Sequence, residues 1–260
     1  MNIKPQKLNM MTTIRLILAA LICVTFTSCN SDKHEFPTDK RYWNLEDYND
    51  VVLELNYAYA DDEKLPTFDD PETRIIVEKL TDTQNFKIVL DDNELGLKYR
   101  NEFAEKFFSK WKDMNNIYNA LDRKDQYVYD EEMLAVWHFG LSLQLRYFKL
   151  GNDQIQENAD DPNSSGVKST INSNVSTLIK NYLLYLDEIN NEAAYTEKGK
   201  SKLADGIDKY FIELIEVYPE ANYSGMKNKA ELMLKKSESA EIKSSLNKLI
   251  KLIDLKSIEG

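Results

Sequence analysis

Two stripes of large apolar side chains constrain this chain more than any other feature. Leu95, Tyr99, Phe103, Phe107, Trp111, Met114, Tyr118 and Leu121 recur at spacings of three and four, and so do Leu134, Trp137, Leu141, Leu145 and Phe148. A helix turns once in about 3.6 residues, so each set falls on one helical face. The spacing predicts a long helix from Glu94 and a second from a cap at Asp130, packed antiparallel around an aromatic core. Only 8 Gly and 6 Pro occur in 260 residues. Few turn formers mean few, long elements.

The same periodicity extends the helical reading. Leu45, Tyr48, Val52, Leu55 and Tyr59 stripe residues 44–60. After them, an Asp70 cap and Pro71 at the first helical position predict a helix that buries Ile75, Ile76 and Leu80 and ends near Asp82. The segment "NFKIVLDD" is too short to assign by period, as strand or as helical turn. Four more helices are expected at about 171–190, 196–218, 225–237 and 239–255, the last striped by Leu246, Leu249, Ile250 and Ile253. The expected architecture is all-α, an irregular multi-helix bundle of about eight helices. A stretch rich in Asn, Asp, Ser and Gly at 152–170 reads as a loop between an acidic N-terminal helical part, 44–151, and a C-terminal part, 171–260, which together form one domain or two. Residues 210–236, "YFIELIEVYPEANYSGMKNKAELMLKK", are similar to the junction between tetratricopeptide-like helices. No second copy at the period of such repeats is visible, so the resemblance implies a helical hairpin rather than an array.

The chain's only cysteines, Cys23 and Cys29, lie in or beside a secretory-type leader: Lys4, Lys7 and Arg15, an apolar run from Leu16 to Phe26, then small or polar residues. The run is too short to span a membrane, which takes ~20 apolar residues. A start at Met10 or Met11 would keep the positive end of the leader. "TFTSC", ending at Cys29, resembles the lipobox of bacterial lipoproteins, in the relaxed form familiar in the Bacteroidota. Phe26 stands where the branched residue usually does. The resemblance implies cleavage after residue 28, fatty acylation of Cys29, and attachment to the cell envelope, at the periplasmic face or the outer-membrane surface. Residues 29–43, which include Pro37, then form a flexible tether. With Cys23 removed, no disulfide within the chain is possible.

Removing residues 1–29 leaves 30 basic against 44 acidic side chains, a net charge of −14. Residues 201–260 hold ten of each and are neutral, so the acid excess lies in 30–200. An acidic body is repelled by nucleic acid and by anionic lipid and is attracted to basic partners.

Chemistry-bearing motifs are scarce. There is no Gly-rich phosphate loop and no Gly-x-Ser-x-Gly elbow. The two histidines are His34 in the tether and His138 between Trp137 and Phe139, where a packed imidazole is expected rather than a catalytic base. Two segments partly match a calcium loop. Asp91, Asn93, Gly96 and Glu102 fit the first, but Leu95 and Lys98 break it. Asp161, Asn163, Ser165 and Gly166 fit the second, but Asn172 replaces its final acid. No metal or cofactor is assigned. Acids are so abundant that spacing selects no catalytic pair.

Two surface segments remain: Tyr57, Tyr59, Asp61, Asp62 and Glu63 at one helix end, and Tyr127, Tyr129, Glu131 and Glu132 at another helix start. Tyrosine beside acid suits contact with a basic protein. The expectation is a non-enzymatic envelope lipoprotein that binds a protein partner, foremost an immunity protein against a secreted antibacterial toxin. The alternatives are a surface glycan-binding, uptake or assembly lipoprotein and a carboxylate-dependent cell-wall hydrolase.

Overall fold

A computed structural model describes residues 36–60, 64–119 and 128–259; Cys29 and the rest of the leader lie outside them. The described residues contain helices and no strand. In chain order they are α1 (Leu45–Ala60), α2 (Arg74–Leu80), α3 (Gln84–Leu90), α4 (Leu97–Asn119), α5 (Asp130–Glu157) and α6 (Ser165–Asp187). A 3-10 helix (Glu188–Ala194) leads to α7 (Glu197–Gly206), a π-turn (Ile207–Phe211), α8 (Ile212–Val217), α9 (Ser224–Lys236) and α10 (Ala240–Glu259). Residues 36–260 form one compact unit. The all-α, multi-helix expectation holds.

The two long helices pair antiparallel, as their stripes require. Tyr118 meets Tyr129 at one end, with ring centroids 6.1 Å apart. Midway, Trp111 Nε1 donates to the Val136 carbonyl at 2.9 Å. Beyond it Phe108 stacks on Tyr147 at 5.6 Å, and Asn101 donates to Gln154 at 2.5 Å. Gly140 makes the approach possible, because a Cβ there would lie 2.2 Å from the Trp111 ring. α1 and α3 close over this pair. Trp43, Tyr48, Phe86, Phe107 and Phe139 are almost wholly buried and meet largely edge-on, with centroids 5.9 Å apart for Trp43–Tyr48, 5.1 Å for Tyr48–Phe107 and 4.9 Å for Phe86–Phe139. Such edge contacts stabilise by about 0.5–1.5 kcal/mol beyond area burial. The buried Tyr48 hydroxyl donates to Leu80 O at 2.7 Å and accepts from Asn85 at 2.9 Å.

α6 runs antiparallel to α5: Tyr182 donates to Leu141 O at 2.8 Å near one end, and Asn174 donates to Asn152 at 2.9 Å near the other. α7 and α8 run parallel to α5, with Thr196 against Asp130 at the start and Glu213 3.1 Å from Arg146 at the finish.

Several boundaries differ from the sequence reading. The break at 152–170 shrinks to 158–164. Polar residues there serve packing rather than a turn: Asn152 is buried and its amide contacts the Tyr218 hydroxyl at 3.3 Å. "NFKIVL" is helical. α2 starts at Arg74 rather than Pro71, because Asp70 spends its side chain on a local turn to Glu72 N at 2.9 Å. Ile75, Tyr59 and Tyr99 are exposed at 38%, 38% and 53%. Each sits near a helix end, and Tyr99 meets Phe103 with ring centroids 6.3 Å apart. The helix does stop at Val217 before Pro219, but α9 packs chiefly on α10 rather than folding back as a hairpin on α8.

Candidate functional site

The second tyrosine and acid segment is met by the residues that follow the first, Leu65 to Phe68. Tyr129 accepts a hydrogen bond from Leu65 N at 3.1 Å. Glu132 accepts from Thr67 Oγ1 at 2.7 Å and from Phe68 N at 2.5 Å. The strap 64–70 therefore crosses the first turn of α5. Glu131 lies 3.4 Å from Lys198, which also contacts Asp69 at 2.5 Å. Next to them Asp130 accepts from Thr196 N at 2.7 Å and from its hydroxyl at 2.9 Å.

These contacts correct part of the expected partner surface. Glu132 is only 2% exposed and is consumed by the strap, and Tyr129 turns inward on Leu65 and Tyr118. Glu131 is mostly covered and already paired. Asp61, Asp62, Glu63 and Tyr127 lie outside the described residues. Tyr57 and Tyr59 are exposed as expected, at 51% and 38%.

Tyr57 belongs to a stripe that the sequence reading passed over. Glu46, Asp50, Leu53 and Tyr57 are all exposed and sit at spacings of four, three and four on α1. They share one helical face, opposite Tyr48, Val51, Val52 and Leu55 in the core. α1 contains no Lys or Arg. The result is an outward ridge with acids along it and Leu53 and Tyr57 standing among them. The signal was present in the sequence, as a second period behind the buried one.

A second feature lies where α7 passes α5 and α6. The π-turn follows directly on Gly206, where a Cβ would lie 2.0 Å from the Tyr185 hydroxyl and 2.4 Å from His138 Nε2. His138, Lys202, Asp205, Asp208, Lys209 and Tyr210 line a cavity of about 500 Å³ beside it. Burial, reinforced by Lys202 and Lys209, pushes His138 down to about 3. It is a neutral, hydrogen-bonded imidazole rather than a base at physiological pH. Lys202 is also pushed below the usual lysine range by burial. Its ammonium sits 4.1 Å from the centre of the Phe68 ring. Tyr210 is pushed up to about 12 by burial. π-turns are rare and frequent at functional sites. In the sequence, only the isolated Gly206 inside a helical pattern hinted at one.

The partial calcium loops gather no ligands. Asp91 takes Arg146 at 2.9 Å, Asn93 takes Arg100 at 3.0 Å, and Glu102 pairs with Lys98 at 3.9 Å. Asp161 caps Asn163 N at 2.9 Å, and Gly166 is inside α6. Among the described residues no three His, Cys, Asp or Glu side chains gather closely enough to hold a metal ion. No described helix is long and apolar enough to cross a membrane. Comparison with protein-family models, curated proteins and solved structures finds no match.

Proposed function

We propose that this chain is a non-enzymatic, lipid-anchored protein of the bacterial cell envelope that binds a basic protein, in the manner of an immunity protein neutralising a secreted antibacterial toxin. The observation that carries the reading is the outer ridge of α1. Leu53 and Tyr57 are about half exposed and flanked by Glu46 and Asp50, with no cation on the helix. Aromatic and aliphatic anchors supply contact area, and surrounding like charges select partner sign and speed association. The leader and Cys29 support display at the envelope, where such a toxin would arrive. An inhibitor of this kind occludes a site and needs a rigid face rather than reactive groups.

The test is recovery of co-purifying protein from membranes of the native host, comparing wild type with Asp50→Lys, Tyr57→Ala and Cys29→Ala. A stoichiometric basic protein that is lost with either ridge variant supports the reading. Membrane attachment lost in Cys29→Ala supports the anchor independently. A partner that survives both ridge substitutions, or an acidic one, overturns the assignment of this face.

A further inference from the structure

We propose that Lys202 is a nucleophilic amine, and that the cavity beside the π-turn admits a small carboxylate-bearing carbonyl compound, of the 2-oxo acid class, which condenses with it as an imine.

The argument starts from what surrounds the amine. Among the described residues the ion pairs given to lysine go to Lys40, Lys98, Lys110, Lys149, Lys198, Lys200, Lys227, Lys229 and Lys248, and none goes to Lys202. Its ammonium lies over the face of Phe68. Glu131, Glu132, Asp205 and Asp130 each draw its titration upward, and burial outweighs them. Three of these are engaged elsewhere: Asp130 with Thr196, Glu131 with Lys198, and Glu132 with the 67–68 strap. Asp205 is exposed on the same helix. His138, which lines the same cavity, is held neutral. A half-buried amine with no committed counter-ion among the described residues holds more of its free-base form, which is how lysine nucleophiles are made.

The cavity supplies the rest. Lys209, resting 5.2 Å from the centre of the Tyr210 ring, lines the same space and offers a second cation for a carboxylate. Asp205 and Asp208 also line it; Lys248 meets the Asp208 carboxylate at 2.5 Å, and Asp205 is exposed to solvent. Tyr210, with its phenol held protonated, lines the space as a donor for a carbonyl oxygen. In the condensation the Lys202 nitrogen lone pair forms a C–N bond as the carbonyl π-bond breaks. A nitrogen proton passes to the oxygen, and the carbinolamine then loses water to leave the imine. No oxidant or reductant is consumed.

The test treats the folded protein with glyoxylate and traps any imine with cyanoborohydride, scoring each lysine by mass spectrometry. Lys198 and Lys200, on the same helix and ion-paired, are internal controls. The expected result is Lys202 labelled several-fold faster than either, with its rate rising at lower pH than theirs. Lys209→Ala should lower the ratio of glyoxylate to acetaldehyde labelling at Lys202, acetaldehyde being the neutral aldehyde. Lys202→Arg, which keeps the charge over Phe68, should abolish the fast site and leave the fold intact by circular dichroism. Labelling of Lys202 no faster than the two controls in folded wild type overturns the proposal. Equal labelling by glyoxylate and acetaldehyde overturns its anionic part.

Discussion

Nε2 of His138 lies 2.8 Å from the hydroxyl of Tyr185, and that hydroxyl donates its own proton to the Leu203 carbonyl at 3.1 Å. Two elements of the bundle, α5 and α6, are thereby fastened to the backbone of a third, α7, just before its π-turn.

This arrangement sets a pH response. His138 is lowered from 6.5 to about 3, first by burial and then by Lys202 and Lys209. The unfolded chain therefore binds a proton that the folded chain refuses. The contribution is complete above pH 6.5 and is lost as pH falls from there toward 3, amounting to about 2 kcal/mol at about pH 5. Urea midpoints of wild type and His138→Asn between neutral pH and pH 5 check this. The wild type should fall more steeply, and parallel curves would contradict it.

Gly206→Ala should be among the most damaging single-methyl additions in the chain. The new Cβ would sit 2.0 Å from the Tyr185 hydroxyl and 2.4 Å from the His138 ring, two side chains hydrogen-bonded to each other. Overpacking of this kind costs about 1–3 kcal/mol. Removing the obstructing oxygen with Tyr185→Phe in the same chain should return part of that loss in denaturant titrations. Simple additivity of the two losses would show that the contact is not the cause.

Glu132 tests whether the strap depends on one carboxylate. Glu132→Ala leaves Thr67 and Phe68 N without their acceptor and should cost about 2–4 kcal/mol. Glu132→Gln keeps an acceptor oxygen and should cost only about 1 kcal/mol. Thermal melts separate these outcomes; a Glu132→Gln loss as large as that of Glu132→Ala would mean that charge, not geometry, holds the strap.

The α1 ridge predicts the opposite pattern. Leu53→Ala and Tyr57→Ala remove side chains that are about half exposed, so stability should change by less than about 0.5 kcal/mol. Affinity for the captured partner should fall by at least about tenfold for each, as at interface anchors. Asp50→Lys should act mainly on the association rate and lose its effect in high salt.

The sequence reads well where one face alone decides burial. Phe107, Met114, Tyr118, Leu134, Leu141 and Leu145 are buried on the faces their spacing predicts. It reads poorly where a distant segment decides. Glu132 has the look of an exposed acid at a helix start, and only the strap arriving from residues 67–68 buries it. Lys202 is one of many lysines until Phe68 covers its ammonium. The π-turn has no periodic signature, because it follows from fitting α7 against His138 and Tyr185. Asn152 read as loop because its type favours turns, yet it is held between Asn174 and Tyr218. The outer ridge of α1 was legible in principle, since it repeats the buried stripe's period half a turn away.

Asp130 and Glu132 stand two residues apart and reach in opposite directions along the chain, one to Thr196 and the other to Thr67 and Phe68. A polypeptide emerges from the ribosome N-terminus first. Glu132 finds its partners already made, whereas Asp130 must wait 66 residues for Thr196. The start of the longest helix is therefore finished only when most of the chain has been synthesised.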